Sequence, residues 1–447
     1  VRPPALRPYQ LEPLAAILHS LREQAGRTLV VEIARQGGKN ELSSRLETVL
    51  LTAYARKGGG IVKTAPTLEP QLVTSYNRLR GYLQSDHIPH SAAFPIIHVG
   101  NATCDFRSAE KSANVVGATA SLLLEVDEAQ DVDEQIFDTR FRPMAATGNA
   151  TTVLYGTAWS EVDLLQRTIA KNAELEHADG IRRNFLYDWR AVAACAPLYG
   201  RFVEAERARL GADHPNFTTQ YELQPLAGAG KLFSPAQLAQ FQGTQARERG
   251  ALLGEHYVAG IDIAGQDTGS GRVNDRTVLT IGRLLRADAA QEAVGLSPVA
   301  IVDQITAQGM RHEELIPMLA DVLRTRRVRA ACVDATGVGE TTAAILAAAV
   351  PSCTIEAFKF TQSSKSELGF NLITYVNTGG IKLYAGDDSA EHTLACSEFA
   401  NARRELRPNN TMSFSVPESL GNDDFLISAA LMARCARTNP ARVARMR

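Results

Sequence analysis

TLVVEIARQGGKNE, residues 28–41, passes from strand to turn to helix within one short stretch. Leu29, Val30, Val31 and Ile33 make an apolar run rich in β-branched residues, the pattern of a buried strand. Gly37 and Gly38 break it. From Asn40 onward, Leu42, Leu46, Val49, Leu50 and Ala53 recur at helical spacing. Strand, glycine turn and helix in that order aim successive backbone N–H groups and a helix N-terminus at one point, which suits a polyphosphate. Lys39 adds a mobile positive charge beside the phosphates. The G-x-x-x-x-G-K-[ST] pattern is not met in full, because Ile33 stands at its first glycine and Asn40 at its hydroxyl position. Gly-Gly-Lys alone also occurs in surface turns, so the reading needs a second element.

Leu122-Leu123-Leu124-Glu125-Val126-Asp127-Glu128 supplies it, a largely apolar strand ending in two adjacent carboxylates. ATP hydrolysis uses such a pair: one carboxylate holds Mg²⁺, directly or through water, and the next orients the attacking water. The plain alternative for Asp127 and Glu128 is a solvated strand end. Thr151 to Ala158, TTVLYGTA, is a further buried strand. Its end, Gly156-Thr157-Ala158, is expected at the sheet edge that carries Lys39 and Asp127, where open α/β sheets bind ligands.

The 447 residues suffice for two or three domains, each with its own core. Hydrophobic content of 45% and charged content of 21% fit a soluble globular protein. No run approaches the ~18 apolar residues of a membrane span. The start, VRPPALRPYQ, has no signal-peptide core, so a cytoplasmic location is expected. Six scattered cysteines without a C-x-x-C pair argue against a zinc site or a disulfide framework. A net charge of −2 argues against bulk non-specific affinity for nucleic acid, though not against a local basic groove.

Upstream, Leu6 to about Glu23 reads as a helix; Gln10 beside Tyr9 would meet an adenine edge and stack on its face, or simply start the helix. Gly60 to Ala65 is a strand, Pro70 to Leu83 a helix, and Ile96–Val99 with Ala102–Arg107 a hairpin turning at Gly100-Asn101. Helix and strand alternate down to Asp127, so the sheet should be mostly parallel. Residues 161–209 read as charged helices forming a small lid. The resulting division is a nucleotide-binding domain over 1–230, with a helical lid within about 160–225, a linker over 231–254, and a second domain over 255–447.

In the second domain, three carboxylate positions stand at element ends. Asp262 closes one strand, Asp334 closes another, and Asp423-Asp424 begins the final helix. A buried strand rarely carries Asp unless something satisfies it. In a β-β-β-α-β-α order these acids can converge on two divalent cations about 3.5–4 Å apart, a geometry that clamps both oxygens of a phosphodiester displacement. Oxygen-only ligands suit Mg²⁺ and Mn²⁺. The plain alternatives are a helix cap for Asp423 and a turn bond for Asp334. Asp267 and Asp275 lie near the same strand ends, and Lys365, Arg403 and Arg404 are candidates for DNA phosphates.

Taken in order, LRPYQ (6–10), ARQGGKNE (34–41), LLLEVDEAQ (122–130), LYGTA (154–158), GIDIAGQD (260–267), VDATGVG (333–339) and NDDFLISAA (422–430) make the chain resemble the large terminase subunit of tailed double-stranded-DNA bacteriophages across nearly its full length. The resemblance implies an N-terminal P-loop ATPase with a parallel sheet, and a C-terminal nuclease with an RNase H-like fold. It implies ATP and Mg²⁺, with Mn²⁺ able to substitute at the nuclease. It further implies double-stranded DNA, a portal protein and a small terminase subunit as partners, a five-subunit ring on the procapsid, and a place in the bacterial host cytoplasm. Carried over by position, Arg35, Gly37, Gly38, Lys39 and Asn40 would hold phosphates, Gln10 the base, Asp127 Mg²⁺, and Glu128 the attacking water. Thr157 would belong to the motif that couples hydrolysis to movement of the lid. Asp262, Asp334, Asp423 and Asp424 match the nuclease metal positions. A ring motor also needs an arginine delivered from a neighbouring subunit, and Arg140, ahead of Arg142, is the choice. The alternative is a helicase-like translocase fused to a nuclease, which should show a second ATPase-type domain.

Overall fold

Val30, Val31 and Ile33 are fully buried in β1 (Thr28–Ile33), so this strand has protein on both faces and reads as a continuous apolar run. The computed structural model describes residues 5–110, 113, 117–227, 229–264, 276–287, 295–336, 339–407 and 410–438. Asp267 and Asp275 lie outside them. Two compact units emerge, one built mainly from Val1–Glu204 and Pro215–Gly228, the other mainly from Ala229–Arg407 and Thr411–Arg447.

The first unit holds an eight-stranded sheet in the order β3-β4-β5-β2-β6-β7-β1-β8. Its strands are β1, β2 (Gly59–Ala65), β3 (Ser91–Ala93), β4 (Ile96–Val99), β5 (Ala102–Ser108), β6 (Leu123–Val126), β7 (Thr151–Gly156) and β8 (Asn184–Tyr187). Six of them run parallel, from β5 across to β8. The β4–β5 pair is the expected antiparallel hairpin, extended by β3. Helix α1 (Pro8–Arg22) precedes the sheet, α2 (Lys39–Ala53) follows β1, and α3 (Val73–Ser85) follows β2. Val62, Leu124, Val126 and Leu154 pack on one sheet face against Phe137, Phe141 and Leu165.

The stretch read as a wholly helical lid departs from that reading. It contains the helix Leu164–Asp179, but Asn184–Tyr187 returns as an edge strand parallel to β1. Four residues flanked by Arg182, Arg183 and Asp188 carry too little alternation to stand out as a strand.

The second unit is built on a six-stranded sheet and a three-stranded one. Their strands are β9 (Ala229–Lys231), β10 (Tyr257–Asp262), β11 (Arg276–Leu284), β12 (Val299–Gln308), β13 (Val328–Asp334), β14 (Thr354–Phe358), β15 (Ile381–Lys382), β16 (Arg403–Arg407) and β17 (Thr411–Ser415). The larger sheet runs β14-β13-β10-β11-β12-β15, with β10, β11 and β12 antiparallel and β13 and β14 parallel to β10. Three antiparallel strands followed by two strands parallel to the first is the RNase H-like arrangement. Strand alternation splits the core: Val258, Ala330 and Cys332 face the helices Gln362–Asn377 and Asp424–Thr438, whereas Ala259, Ile261, Ala331 and Val333 face His312–Thr325 and Gly339–Ala349. The expected linker is not loose. Leu232, Phe233 and Phe241 enter this core, and the Phe241 and Phe399 rings stack 4.2 Å apart.

Candidate functional site

The backbone sets the shape of the β1–α2 turn. Gly38 has φ +97°, which L side chains rarely adopt, and a Cβ there would come within 2.7 Å of Gln10 Nε2. The loop is tied down from α1. Tyr9 Oη donates to Gly37 O at 2.6 Å, and Gln10 Nε2 donates to Gly38 O at 2.8 Å while its Oε1 accepts from Arg7 N at 2.7 Å. Gln10 keeps a second N–H and a second lone pair for a base edge. Tyr9 does not act as the expected stacking platform: it is buried, with its ring 5.5 Å from Tyr187 and its hydroxyl spent on the loop.

A cavity of about 590 Å³ opens over this loop. Arg35, Gly37, Gly38, Lys39, Asn40, Asp127, Glu128, Thr157 and Gln10 all line it, so the structure gathers the sequence-read nucleotide residues at one place. Lys39 Nζ stands 3.8 Å from Glu128 Oε2. Arg7 and Arg78 line the cavity too, and with Arg35 and Lys39 they give it four cations, a fit to a polyphosphate. Sequence reading passed over both. Arg78 and Tyr82, one helical turn apart on α3, hold Glu41 of α2.

The acidic strand end is held in detail. Glu128 has φ 46° and ψ 52°, the left-handed region, a strained backbone for a residue with a side chain. Asp127 is buried and accepts from Ser75 Oγ at 3.4 Å. Burial raises its carboxyl above the usual range, and Lys63 and Lys39 act against that shift. Gln130, another residue the sequence reading left without a role, donates to Glu128 Oε2 at 2.8 Å and accepts from Thr157 N at 3.3 Å. On β1, burial pushes Glu32 up to about 8, opposed by Lys39 and reinforced by Asp163. Arg140 does not line the cavity of its own chain; its Nη1 donates to Ala113 O at 3.1 Å. Arg142 pairs with Asp138 at 3.4 Å rather than with Asp131 or Asp133.

In the second unit the acids share one sheet face. Asp262 and Asp334 end adjacent parallel strands, one step beyond the registered pair Ile261–Val333. Both follow the alternation that puts Gly260 and Cys332 toward the helix Asp424–Thr438. That helix crosses β10 closely. A Cβ on Gly260 would lie 2.0 Å from Ser428 O and 2.3 Å from Met432 N, so only glycine admits it. The crossing brings the buried Asp424 toward Asp262. Desolvation raises the Asp262 carboxyl well above the usual range, followed by the charges of Asp424, Asp334 and Asp423. Glu398, unmarked by sequence reading, is buried and accepts from Phe425 N at 2.8 Å and Leu426 N at 3.0 Å, which fixes the start of the Asp424 helix. Asp334 Oδ1 also accepts from Thr336 N at 2.8 Å, the turn bond foreseen as its plain role. Asn422 donates to Asp424 at 3.3 Å.

Among the described residues, no three His, Cys, Asp or Glu side chains are gathered closely enough to hold a metal ion. The donor chemistry still fits one. The groups acting most strongly on Asp262, after its burial, are all carboxylates, and oxygen donors of this kind suit Mg²⁺. Lys365 lies over the Phe360 and Phe414 rings, and Arg403 and Arg404 lie in β16. No helix among the described residues is long and apolar enough to cross a membrane.

No protein-family model matches the sequence, and no curated protein does. Solved structures do match the fold. The large terminase of a thermophilic bacteriophage aligns over 97% of this chain and 99% of its own, at 10% identity and a TM-score of 0.57. The same protein in complex with ADP aligns over 94% and 98% at 10% identity and 0.52, and in complex with ATP-gamma-S over 96% and 99% at 11% identity and 0.53. The chain thus has the large-terminase fold.

Proposed function

We propose that this chain is the large terminase subunit of a tailed double-stranded-DNA phage, a packaging ATPase joined to a metal-dependent endonuclease. The observation that carries the reading is the convergence of Lys39 and Glu128, 3.8 Å apart, with Asp127 on the cavity over the phosphate loop. In this reading the loop N–H groups, Lys39 and Arg35 bind the ATP phosphates and offset charge as the terminal bond breaks. Asn40 and Asp127 would hold Mg²⁺, which would supply positive charge to offset that of the phosphates. Glu128 orients the attacking water, and Gln130 holds Glu128 in place. Thr157, bonded to the same Gln130, carries the state of the site into β7. In the second unit, Asp262, Asp334, Asp424 and Asp423 would hold Mg²⁺ or Mn²⁺, which would supply Lewis-acid chemistry for phosphodiester hydrolysis. Glu398, accepting from Phe425 N and Leu426 N, fixes the start of the helix that carries Asp424.

The partners in this reading are double-stranded DNA, a portal protein, a small terminase subunit and further copies of the chain in a pentameric ring, within the host bacterial cytoplasm. A helicase-like translocase is less well supported. Its second ATPase-type domain would carry a parallel sheet, whereas β10, β11 and β12 are antiparallel. The deciding test gives purified protein ATP, then supercoiled plasmid with Mg²⁺ or Mn²⁺. Hydrolysis and nicking are both expected. Nicking lost in Asp262→Ala with hydrolysis retained supports two sites; protein that neither hydrolyses ATP nor cuts DNA, alone or with procapsids, overturns the reading.

A further inference from the structure

Beneath the nucleotide cavity lies a charged cluster that the hydrolysis chemistry does not use. Lys63 of β2, Glu47 of α2 and Glu125 of β6 are completely buried, and Ser43 of α2 nearly so. Lys63 Nζ donates to Glu47 Oε1 at 2.9 Å and to Ser43 Oγ. Ser43, accepting from the ammonium, donates its own hydroxyl hydrogen to Glu125 Oε1 at 3.0 Å. Lys63 and Glu125 are also register partners on neighbouring parallel strands.

The placement follows from two periods. Lys39, Ser43 and Glu47 are spaced four apart, so they share one face of α2. Glu125 and Asp127 are two apart, so they point to the same side of the sheet. The cluster is therefore the inward continuation of the face that presents Lys39 and Asp127 to the cavity. Apolar side chains of the same volume would fill this space at less cost than a buried ion pair with two carboxylates. What they would lack is direction. Salt bridges and hydrogen bonds fix a helix on a strand at one register, whereas methylene contacts tolerate sliding.

We infer that Lys63 is a positioning residue of the ATPase. It holds Glu47 and Ser43 on one side and, through Ser43, Glu125 on the other, so it fixes α2 against β6 and sets where Lys39 stands relative to Asp127 and Glu128. The inference rests on the ATPase reading above. It separates two parts of nucleotide binding. Phosphate capture by the loop and Lys39 needs only β1 and α2, whereas any tightening by Mg²⁺ needs Asp127 beside them.

The test measures the affinity of a fluorescent ATP analogue in EDTA and in Mg²⁺, together with turnover. Lys63→Met keeps the length of the side chain and removes its donors, but it leaves two buried carboxylates facing each other and can unfold the unit. Lys63→Met combined with Glu47→Leu removes the ion pair as a unit and preserves the packing. The folded double variant is expected to bind the analogue normally in EDTA, to lose its tightening by Mg²⁺, and to turn over about a hundredfold more slowly, the scale of a displacement near 1 Å. A merely structural role would instead lower the unfolding temperature and leave the Mg²⁺ effect and turnover of folded protein intact. That result overturns the inference alone. Wild-type protein that binds no nucleotide overturns the ATPase reading and this inference with it.

Discussion

The side-chain nitrogen of Gln130 lies 2.8 Å from Glu128 Oε2, and this bond aims the carboxylate that stands beside Lys39. The other end of the same amide accepts from Thr157 N, so the acidic strand end and the end of β7 meet through one side chain. An amide does not titrate, so Gln130 adds no pH dependence of its own to the link.

Gln130→Ala should leave nucleotide affinity nearly unchanged and lower turnover by about tenfold to a hundredfold, since the water-orienting carboxylate loses its aim. Gln130→Glu is more telling. It sets a second carboxylate against Glu128, so one of the pair is driven to hold a proton. Turnover of that variant should be highest at the acid end of the range and fall as the pair ionises, while the wild type does not follow that curve. Superimposable pH–rate profiles for the two proteins count against the link.

Lys39→Ala and Glu128→Gln address the chemistry itself. Each should lower ATP turnover by about two or more orders of magnitude through lost electrostatic stabilisation or lost water orientation. Glu128→Gln should still bind nucleotide, because the glutamine keeps the shape and the bond to Gln130. Wild-type hydrolysis by Glu128→Gln removes Glu128 from the mechanism.

Much of this was legible in the sequence because it rests on local pattern. The β1 run, the glycine pair, the apolar strand closing on Asp127-Glu128 and the Asp that ends β10 and β13 are all read within a few residues. What escaped depends on partners distant in the chain. Arg78 reaches Glu41 from another helix, and Glu398 meets Phe425 and Leu426 across the second unit. Tyr9 reads as a base platform because an aromatic ring stands beside Gln10 just upstream of the glycine turn, whereas its hydroxyl is needed by Gly37 O. Lys63 in GIVKTA and Glu125 in LLLEVDE did carry a signal, namely a charge inside a strand otherwise apolar. β8 carried almost none.

Gly260→Ala should damage the nuclease unit through a single methyl group. The added carbon meets the backbone of the Asp424 helix rather than a movable side chain, so the helix must lift from β10. Overpacking of this kind costs about 1–3 kcal/mol or more. DNA cleavage should be lost with it as Asp424 leaves Asp262, and thermal unfolding should show the second unit melting early. Full cleavage activity with unchanged melting would mean that the close crossing is not needed.

Glu32 gives stability a pH dependence. Its folded carboxyl is raised to about 8, chiefly by burial, while an unfolded glutamate titrates near 4.5. Between those values the folded protein keeps a proton that the unfolded chain has released, so stability falls as pH rises through this window and levels off above it. Glu32→Gln removes the titration. The variant should match or slightly trail the wild type in mild acid and exceed it above pH 8, by an amount on the order of 1–4 kcal/mol. Denaturant melts at both pH values check the sign; a wild type that gains stability relative to the variant with rising pH contradicts it.

Arg140 is the proposed arginine acting between subunits. It sits in the helical turn Phe137–Phe141, half-buried, and does not line the cavity of its own chain, as a group that serves a neighbouring subunit should not. Its Nη1 contact to Ala113 O holds it within the subunit, so delivery across an interface requires that bond to be exchanged for phosphate oxygens. Arg142 is the weaker choice because it is paired with Asp138 and followed by Pro143 in a turn. If Arg140 serves in trans, isolated protein should bind ATP yet hydrolyse it slowly, with activity rising more than linearly with concentration. Arg140→Ala should lower assembled-ring turnover by about three orders of magnitude, the scale of an arginine finger. Mixing Arg140→Ala subunits with Glu128→Gln subunits should then recover part of the activity, because some interfaces combine an intact Glu128 from one chain with an intact Arg140 from the other. Mixed rings shown to assemble but not to hydrolyse would place the stabilising charge in cis, with Arg35, exposed at the rim of the cavity, as the residue to test next.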